Sequence, residues 1–382
     1  MTSGRLAWAM SLAALCTALS LSLYLLAQRE PGYDFLTYLQ AAGRLERGES
    51  LYLFTRDSVN VGILREFLYP PPVAAAFIPF TWVPPSVAVA AWFILQCAVA
   101  AAVGWWLVRP MRGLWRLWGA AAYVLFFPLL WEVSLGNLTL LTLAFCIAGW
   151  KLRDRAPLAG LCFALALGLK LLPVTLLLFL PLAGRVRAVV WAIGIAVAGA
   201  ALSAVWLADA WRDYLSLLVT LMTGTPLSGP NIVPAMFSEG PARFFLPGVA
   251  LVAALIAGLA ARRRPESQGL AFAVALASAP LLSSSVRYPY LILALPLLLD
   301  HTRIARSQAL AGLAIVGRAA AWLVMQAQIA PEPGRAFTLP LYGLLALLVI
   351  GGAPLMSDRW RFVGVRKSPD PLGSGPSLSS SD

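Results

Sequence analysis

Long apolar runs recur along most of the chain, and this feature most constrains the fold. Hydrophobic residues make up 60% of the 382 residues and charged residues only 12%, a composition outside that of ordinary soluble domains. Inside a bilayer the backbone must satisfy its own hydrogen bonds, and an apolar run does so as a helix. The sequence therefore predicts an all-α polytopic membrane protein.

The apolar runs number about twelve and define the predicted membrane segments. Several are shorter than the roughly 20 residues that a perpendicular helix needs, so tilted or re-entrant hairpins are expected among them. The runs fall near residues 5–27, 86–108, 115–133, 137–150, 157–169, 171–183, 188–208, 243–260, 267–284, 288–300, 308–326 and 337–356.

The distribution of basic residues predicts the orientation of the chain. The net charge is +12, and the short basic linkers RPMRGLWR, KLRDR, GRVR, ARRRP and HTRIARSQ alternate with acidic or neutral connections. By the positive-inside rule this basic side is cytoplasmic, so no nucleic-acid partner is needed to explain the charge. Residues 1–356 are expected to form one multi-pass domain of the cell membrane, and residues 357–382 a basic, disordered cytoplasmic tail.

Both termini are then inside, and two larger polar loops lie outside, at residues 28–85 and 209–242. The first loop contains GYDFLTYLQAAGRLERGESLY, whose apolar spacing predicts an amphipathic helix along the outer membrane surface. The segment FLYPPPVAAAFIPFTWVPPS follows, where prolines bound a short apolar hairpin. This hairpin is interpreted as a re-entrant segment, with a non-catalytic membrane anchor as the alternative.

Asp34, at the start of the amphipathic helix, has two interpretations. A carboxylate there can cap the helix N-terminus. A carboxylate partly shielded by apolar neighbours can also accept a proton from a substrate hydroxyl as a general base. The only histidine, His301, falls on the predicted cytoplasmic side, so acid–base chemistry outside would use a carboxylate, a lysine or a tyrosine.

Two basic residues are predicted at the outer ends of apolar runs. Lys170 lies between PLAGLCFALALGL and LLPVTLLLFLPL, and an ammonium at such a depth suits an anionic head group or phosphate, or simply snorkels to the surface. Arg287 lies beside Tyr288 and Tyr290, which suits phosphate or sugar recognition or interfacial anchoring. Arg318 is predicted near mid-membrane and is given no role.

Other polar residues are interpreted as structural. Glu132, Asp209, Asp213 and Glu239 are expected to be solvated near the outer face, where each could pair with these bases. The four cysteines fall inside apolar runs without a CxxC pair and are predicted to be core residues. The sequence contains no GxxxxGK[ST] and no HExxH motif, so nucleotide and zinc hydrolysis lack support, and no cofactor or metal is expected.

Four segments in order resemble glycosyltransferase family 87: GYDFLTYLQAAGRLERGESLY, LYPPPVAAAFIPF, LGNLTLL and GLKLLPVTLLLFLPLAGR. That family comprises GT-C class membrane enzymes, whose better understood members transfer mannose from a polyprenyl phosphate to a glycolipid or glycan with inversion. The resemblance implies a GT-C-like bundle with a polyprenyl-phosphate-sugar donor, a lipid or glycan acceptor and membrane lipids as partners. Two departures concern sugar recognition: SSSVRYPY lacks the tryptophan and histidine often seen there, and GNLTLL lacks the usual glutamine.

The resemblance also implies roles for particular residues. Asp34 matches the family's catalytic aspartate, and Lys170, in a Lys-x-x-Pro segment, borders the lipid-phosphate site. Arg287 is expected to replace part of the missing recognition surface. The expected substrate-binding residues are Tyr33, Tyr69, Asn137, Tyr288 and Tyr290.

Two other functions stay open at this point. A transporter or flippase of lipid-linked saccharides would use the intramembrane Arg318 along a pathway through the bilayer. A non-catalytic subunit of an envelope assembly would need Asp34 only as a helix cap. The variant Asp34→Asn distinguishes the assembly subunit from the enzyme. A subunit that uses Asp34 only as a helix cap should keep its function, whereas an enzyme that uses Asp34 as its base should lose activity.

Overall fold

The computed structural model describes residues 32–52, 67–111, 114–223, 240–283, 288–299, 344–350 and 355. These residues form α-helices and short 3-10 helices, and they contain no strand, so the all-α prediction is confirmed for this part of the chain. The predicted segments near residues 5–27 and 308–326 lie outside it.

The α-helices are numbered here in chain order. They are α1 (Tyr33–Glu46), α2 (Pro71–Ala76), α3 (Ile78–Thr81), α4 (Pro85–Val108), α5 (Leu114–Leu125), α6 (Phe127–Leu135), α7 (Thr139–Lys151), α8 (Ala156–Leu169), α9 (Thr175–Leu182), α10 (Val186–Ala204), α11 (Ala208–Thr223), α12 (Phe245–Arg263), α13 (Gln268–Ser278) and α14 (Leu295–Leu298). The 3-10 helices are Leu172–Val174, Gly240–Phe244, Pro265–Ser267, Ala279–Leu282 and Tyr288–Ala294.

Three helices are long and apolar enough to cross a bilayer, namely Pro85–Val108, Val186–Ala204 and Ala242–Arg263. A fourth candidate consists of Trp118–Val124 and Phe127–Leu135, which meet at 46° as a broken span or a re-entrant loop. The remaining apolar helices that the structure describes are shorter. The chain is therefore a membrane protein, whereas a total of about twelve segments stays a prediction.

The outer faces of the long helices are apolar. Ile94 of α4 is 68% exposed and Val190 of α10 is 64% exposed, which suits contact with lipid tails rather than with water. Cys97 is also exposed on α4, whereas Cys146 is buried in α7. The prediction of a core position is thus wrong for Cys97, because this helix turns that side chain outward.

The helices α7 to α10, α12 and α13 pack into one bundle. Small residues let their backbones approach closely, as is common between membrane helices. A Cβ on Gly160 of α8 would collide with Trp191 of α10. A Cβ on Gly258 of α12 would likewise lie 2.6 Å from Leu182 of α9.

The first loop folds onto its own aromatic core. Phe35 of α1 stacks on Trp92 of α4 with ring centroids 5.4 Å apart, and Phe77 and Phe80 pack edge-on against the same pair. The structure has a helix within this stretch, α1, and its apolar face packs against the α2–α3 hairpin and α4. Its position along the outer membrane surface stays a prediction. Prolines begin both neighbouring helices because the first helical position needs no amide donor.

The two predicted outer loops contact one another. Ser50 Oγ donates a hydrogen bond to Asp213 Oδ2 of α11 at 3.1 Å, and the rings of Tyr52 and Tyr214 lie 5.7 Å apart. Residues of both predicted loops therefore lie close together, and the side of the membrane on which they lie stays a prediction.

Candidate functional site

The candidate site lies where the start of α1 meets the end of α6. The amide of Gly32 donates to the carbonyl of Ser134 at 2.7 Å, and Gly32 is the N-cap of α1 with a φ of 74°. Asp34 is therefore in the first turn of α1 rather than at its cap, and no side-chain cap bond is present at Gly32. The interpretation of Asp34 as an N-cap is wrong, because a glycine in the left-handed conformation takes that position.

A tight turn after α6 sets up the centre of the site. Gly136 ends α6 with a φ of 69°, and its amide and that of Asn137 donate to the carbonyl of Glu132. Two side chains of α4 hold the turn from the other side: Trp92 Nε1 donates to Gly136 O at 2.8 Å, and Gln96 Nε2 donates to Asn137 O at 2.7 Å. The backbone that carries Asn137 is thus fixed from both flanks.

Asn137 connects two charged residues through its side-chain amide. Its Nδ2 donates to Asp34 Oδ2 at 2.6 Å, and its Oδ1 accepts from Lys170 Nζ at 3.0 Å. The same Oδ1 accepts from the backbone amide of Thr139 at 3.1 Å. Because a backbone amide can only donate, this bond settles which end of the Asn137 amide is oxygen.

Lys170 follows the last residue of α8 and is buried, with 8% of its surface exposed. Its ammonium donates to Asn137 Oδ1 and to Thr139 Oγ1, the latter at 2.9 Å. It also lies 4.1 Å from the ring centroid of Tyr290 and 5.5 Å from that of Tyr69, within the range of cation–π attraction. An ammonium has three N–H groups, and the described residues supply oxygen acceptors for two of them.

Two buried tyrosines, Tyr38 and Tyr69, form the side of the site next to the Lys170 ammonium. The hydroxyls of Tyr38 and Tyr69 lie 2.9 Å apart, and Tyr52 donates to the carbonyl of Tyr69 at 2.6 Å. Burial raises the pKa of Tyr38 well above its usual value and that of Tyr69 to about 12. Both phenols therefore keep their protons at neutral pH and serve as neutral hydrogen-bonding groups.

Five of the residues that the sequence predicted come together here: Asp34, Tyr69, Asn137, Lys170 and Tyr290. Tyr33 lies next to them at the start of α1, with 41% of its surface exposed. Arg287, Arg318 and the side chain of Tyr288 fall outside the residues that the structure describes, and their predicted roles stay predictions.

Three further residues of the site were not predicted. Thr139 and Gln96 are buried and bind Lys170 and the Asn137 backbone, respectively. Glu132 was expected to be solvated, but it is fully buried in α6, so that prediction is wrong. Its apolar surroundings in FPLLWEVSL are the sequence signal that could have indicated burial.

The other acidic residues that were predicted near the outer face are Asp209, Asp213 and Glu239. Asp209 forms an exposed ion pair with Arg212 at 3.0 Å, and Asp213 binds Ser50. Glu239 lies outside the described residues.

The arrangement places a partly exposed carboxylate and a buried ammonium on the two ends of one amide. Such a site can accept a proton at one point while it stabilises negative charge at another. Group transfer to a hydroxyl with an anionic leaving group is one reaction that uses both.

Comparison with known protein families gives a match. The model of glycosyltransferase family 87 matches residues 67–285, which is more than half of the chain and includes Tyr69, Asn137 and Lys170. Asp34 precedes the matched stretch. Searches of curated proteins and of solved structures each found no significant match.

Proposed function

The chain belongs to glycosyltransferase family 87, and on this basis we propose that it transfers a hexose, with mannose as the expected sugar, from a polyprenyl-phosphate donor to a lipid or glycan acceptor. The transfer takes place at the outer face of the cell membrane and inverts the anomeric configuration. The observation that carries the proposal is the connection of Asp34 to Lys170 through the side chain of Asn137.

Asp34 is the general base of the proposed reaction. It removes the proton from the acceptor hydroxyl, whose oxygen attacks the anomeric carbon on the face opposite the phosphate. The bond between that carbon and the phosphate oxygen breaks, and its electron pair leaves with the polyprenyl phosphate. The partial exposure of Asp34 at the start of α1 supports this role, because an acceptor can reach it.

Lys170 stabilises the leaving phosphate. The departing group gains negative charge as the bond breaks, and a preorganised cation in a buried site is worth more than one in water. Its remaining N–H can point at a phosphate oxygen while Asn137 and Thr139 hold the other two. The rings of Tyr69 and Tyr290 shield the ammonium from water.

Asn137 fixes the distance between base and cation. Its amide keeps the Asp34 carboxylate and the Lys170 ammonium at opposite ends of one planar group, so both are in place before substrate binds. Arg287, on the segment that precedes Tyr290, adds a second positive charge to the donor phosphate in this proposal.

The test uses the full-length protein purified in detergent or reconstituted in nanodiscs. Radiolabelled polyprenyl-phosphate mannose and an envelope lipid extract are supplied, and transfer is measured for wild type, Asp34→Asn and Asp154→Asn. Asp154 is a matched control, since its carboxylate is 71% exposed and pairs with Arg185 away from the site. Asn at position 34 still offers an oxygen to the Asn137 amide, so the fold is preserved.

We expect transfer by the wild type and by Asp154→Asn, and a loss of about 10²-fold or more in Asp34→Asn. Full activity of Asp34→Asn would remove Asp34 from the chemistry and would require another residue as the base. If the wild type is inert with mannose but active with another polyprenyl-phosphate hexose, only the sugar is wrong. Inactivity with every prenyl donor would favour a flippase or an assembly role.

A further inference from the structure

The ring of Tyr290 lies against the Lys170 ammonium. Its centroid is 4.1 Å from Lys170 Nζ, whereas the centroid of Tyr69 is 5.5 Å away. Two of the three N–H groups of the ammonium bond to Asn137 Oδ1 and Thr139 Oγ1. The face of an aromatic ring carries partial negative charge, so the Tyr290 ring attracts the third. Tyr290 therefore completes the set of groups that surround the cation among the described residues.

A phosphate that binds Lys170 needs a place next to the ammonium. A phosphate oxygen bonded to an ammonium lies about 2.8 Å from the nitrogen, which is closer than the Tyr290 centroid. All three N–H groups already have a partner, two of them oxygens and one the ring. One of these three partners must therefore move away when a phosphate oxygen binds the cation.

Tyr290 is the partner that is held least firmly. Thr139 Oγ1 also donates to Asn137 Oδ1 at 2.9 Å, so the two oxygen acceptors are bonded to each other as well as to Lys170. A hydrogen bond from a charged group is stronger than a cation–π contact. The Tyr290 side chain is only partly buried, and its hydroxyl has no hydrogen-bond partner among the described residues.

The backbone around Tyr290 also favours movement of this residue. Tyr290 lies in the 3-10 helix Tyr288–Ala294, which has seven residues. The hydrogen-bond geometry of a 3-10 helix is poorer than that of an α-helix, and runs longer than three or four residues are uncommon. Tyr69, in contrast, is fixed at two points, because its hydroxyl lies 2.9 Å from that of Tyr38 and its carbonyl accepts from Tyr52.

We propose that Tyr290 occupies the third N–H of Lys170 in the donor-free protein and that the donor phosphate displaces its ring. Tyr290 is thus a positioning residue, which acts on the donor through Lys170. An anion attracts a buried ammonium far more strongly than a neutral hydroxyl does, so the ring yields to the donor phosphate and excludes water and free sugars. The contact is independent of the proposed function, whereas the exchange rests on the proposed donor.

This role and a purely structural role of Tyr290 predict opposite effects on phosphate binding. A ring that only fills space supports the site, so a weakened ring should leave binding unchanged or make it weaker. A ring that competes with phosphate for one N–H should have the reverse effect, because the phosphate then has a weaker contact to displace. Fluorinated phenylalanines separate the two roles, since fluorine withdraws charge from the ring face and nearly preserves the shape of the ring.

The contact itself is tested without any donor. Tyr290 is replaced by Phe and by phenylalanines with one, two or three fluorine atoms, in the full-length protein in nanodiscs. Each replacement is also made together with Lys170→Met, which corrects for the change in ring hydrophobicity. We expect the unfolding midpoint to fall with each added fluorine relative to the same series with Lys170→Met. An identical dependence in the two series would overturn the contact.

Binding of polyprenyl phosphate without a sugar tests the exchange in proteins that keep Lys170. The affinity should rise along the fluorine series, and Tyr290→Leu should bind roughly twofold to thirtyfold more tightly than Tyr290→Phe, the range expected for loss of one cation–π contact. The control is Phe93→Leu, at a half-exposed ring on α4, which should bind as the wild type does.

Equal or weaker binding along the series would overturn the exchange and leave the proposed donor in place, provided that the wild type binds the probe. If neither the wild type nor any variant binds polyprenyl phosphate, the proposed donor and the exchange are both wrong. The unfolding midpoints still decide whether Tyr290 and Lys170 are in contact in that case. If Lys170→Met does not fold, the binding series alone decides the proposal.

Discussion

Asn137 donates a hydrogen bond to Asp34 at 2.6 Å, although 103 residues of sequence separate them. The bond joins the start of α1 to the turn between α6 and α7, and the other end of the same amide accepts from Lys170. The position of the carboxylate is therefore tied to that of the cation. Substitutions along this connection should affect transfer more than they affect the stability of the fold.

Asn137→Ala should lower the turnover number by about tenfold to a hundredfold. The alanine removes the amide that aligns Asp34 and leaves the charges of Asp34 and Lys170 in place, so the loss is one of alignment. Steady-state transfer kinetics with both substrates varied measure this. The control is Gln40→Ala, at an exposed position on α1, and equal effects of the two changes would remove Asn137 from the mechanism.

Lys170→Met should reduce kcat/KM by about 10²-fold to 10³-fold, since it removes the charge that stabilises the leaving phosphate. Lys170→Arg should also be impaired, because a planar guanidinium does not fit the space between the rings of Tyr69 and Tyr290 that holds an ammonium. The matched control is Lys151→Met, at the exposed far end of α7. Retention of more than a third of wild-type kcat/KM in Lys170→Met would contradict the assigned role.

Gly136→Ala should destabilise the protein and impair transfer together. Gly136 has a φ of 69°, and an added Cβ would lie 3.0 Å from Phe35 and from Trp92. The left-handed conformation alone costs a non-glycine residue about 1–2 kcal/mol, and the crowding adds to this. Thermal unfolding midpoints measure the change. Gly194→Ala in α10, where a Cβ meets nothing within 4 Å, should leave the midpoint unchanged or raise it.

Stability should decline as the pH rises from about 10 to about 12, in part because of Tyr69. Burial raises the pKa of Tyr69 from 10.0 to about 12. Below pH 10 the phenol is protonated in both the folded and the unfolded chain, so its contribution is fully present. Above pH 10 the unfolded chain ionises first, and this contribution is lost as the pH rises through the folded pKa.

Tyr69→Phe should therefore show a shallower alkaline decline of its unfolding midpoint than the wild type does. Midpoints between pH 9 and 12.5, together with tyrosinate absorbance, measure the difference. Tyr33→Phe, at an exposed ring, should keep the decline of the wild type. Identical slopes for wild type and Tyr69→Phe would show that this phenol does not carry the effect.

The sequence predicted the helical class of the fold and the members of the site better than it predicted their contacts. Apolar runs indicate helices directly, because few other structures satisfy the hydrogen bonds of the backbone inside a bilayer. Asp34 and Lys170 were identifiable because a charge beside an apolar run costs free energy, and such a residue usually has a functional or structural role. Their connection was not, because the hydrogen bonds of Asn137 span 103 and 33 residues and local patterns carry no information on such pairing.

Two errors have physical causes. Asp34 was considered as an N-cap, but Gly32 in the left-handed conformation takes that position, and the helix dipole also favours an aspartate within the first turn. Glu132 was expected to be solvated because it lies at the end of the apolar run near residues 115–133, close to the predicted outer face. The turn at Gly136 folds α7 back over it and buries it, which a hydropathy pattern does not reveal.

The hydrogen bonds of Asn137 also bear on how the protein can be produced. Asn137, Leu138 and Thr139 form an Asn-X-Thr sequon, the acceptor sequence for N-linked glycosylation. The atom that would carry the glycan is Nδ2, which is already bonded to Asp34 in a side chain that is only 6% exposed. A glycan on this atom is incompatible with the folded site, so a eukaryotic expression host that modified Asn137 before folding would yield protein that cannot form these bonds.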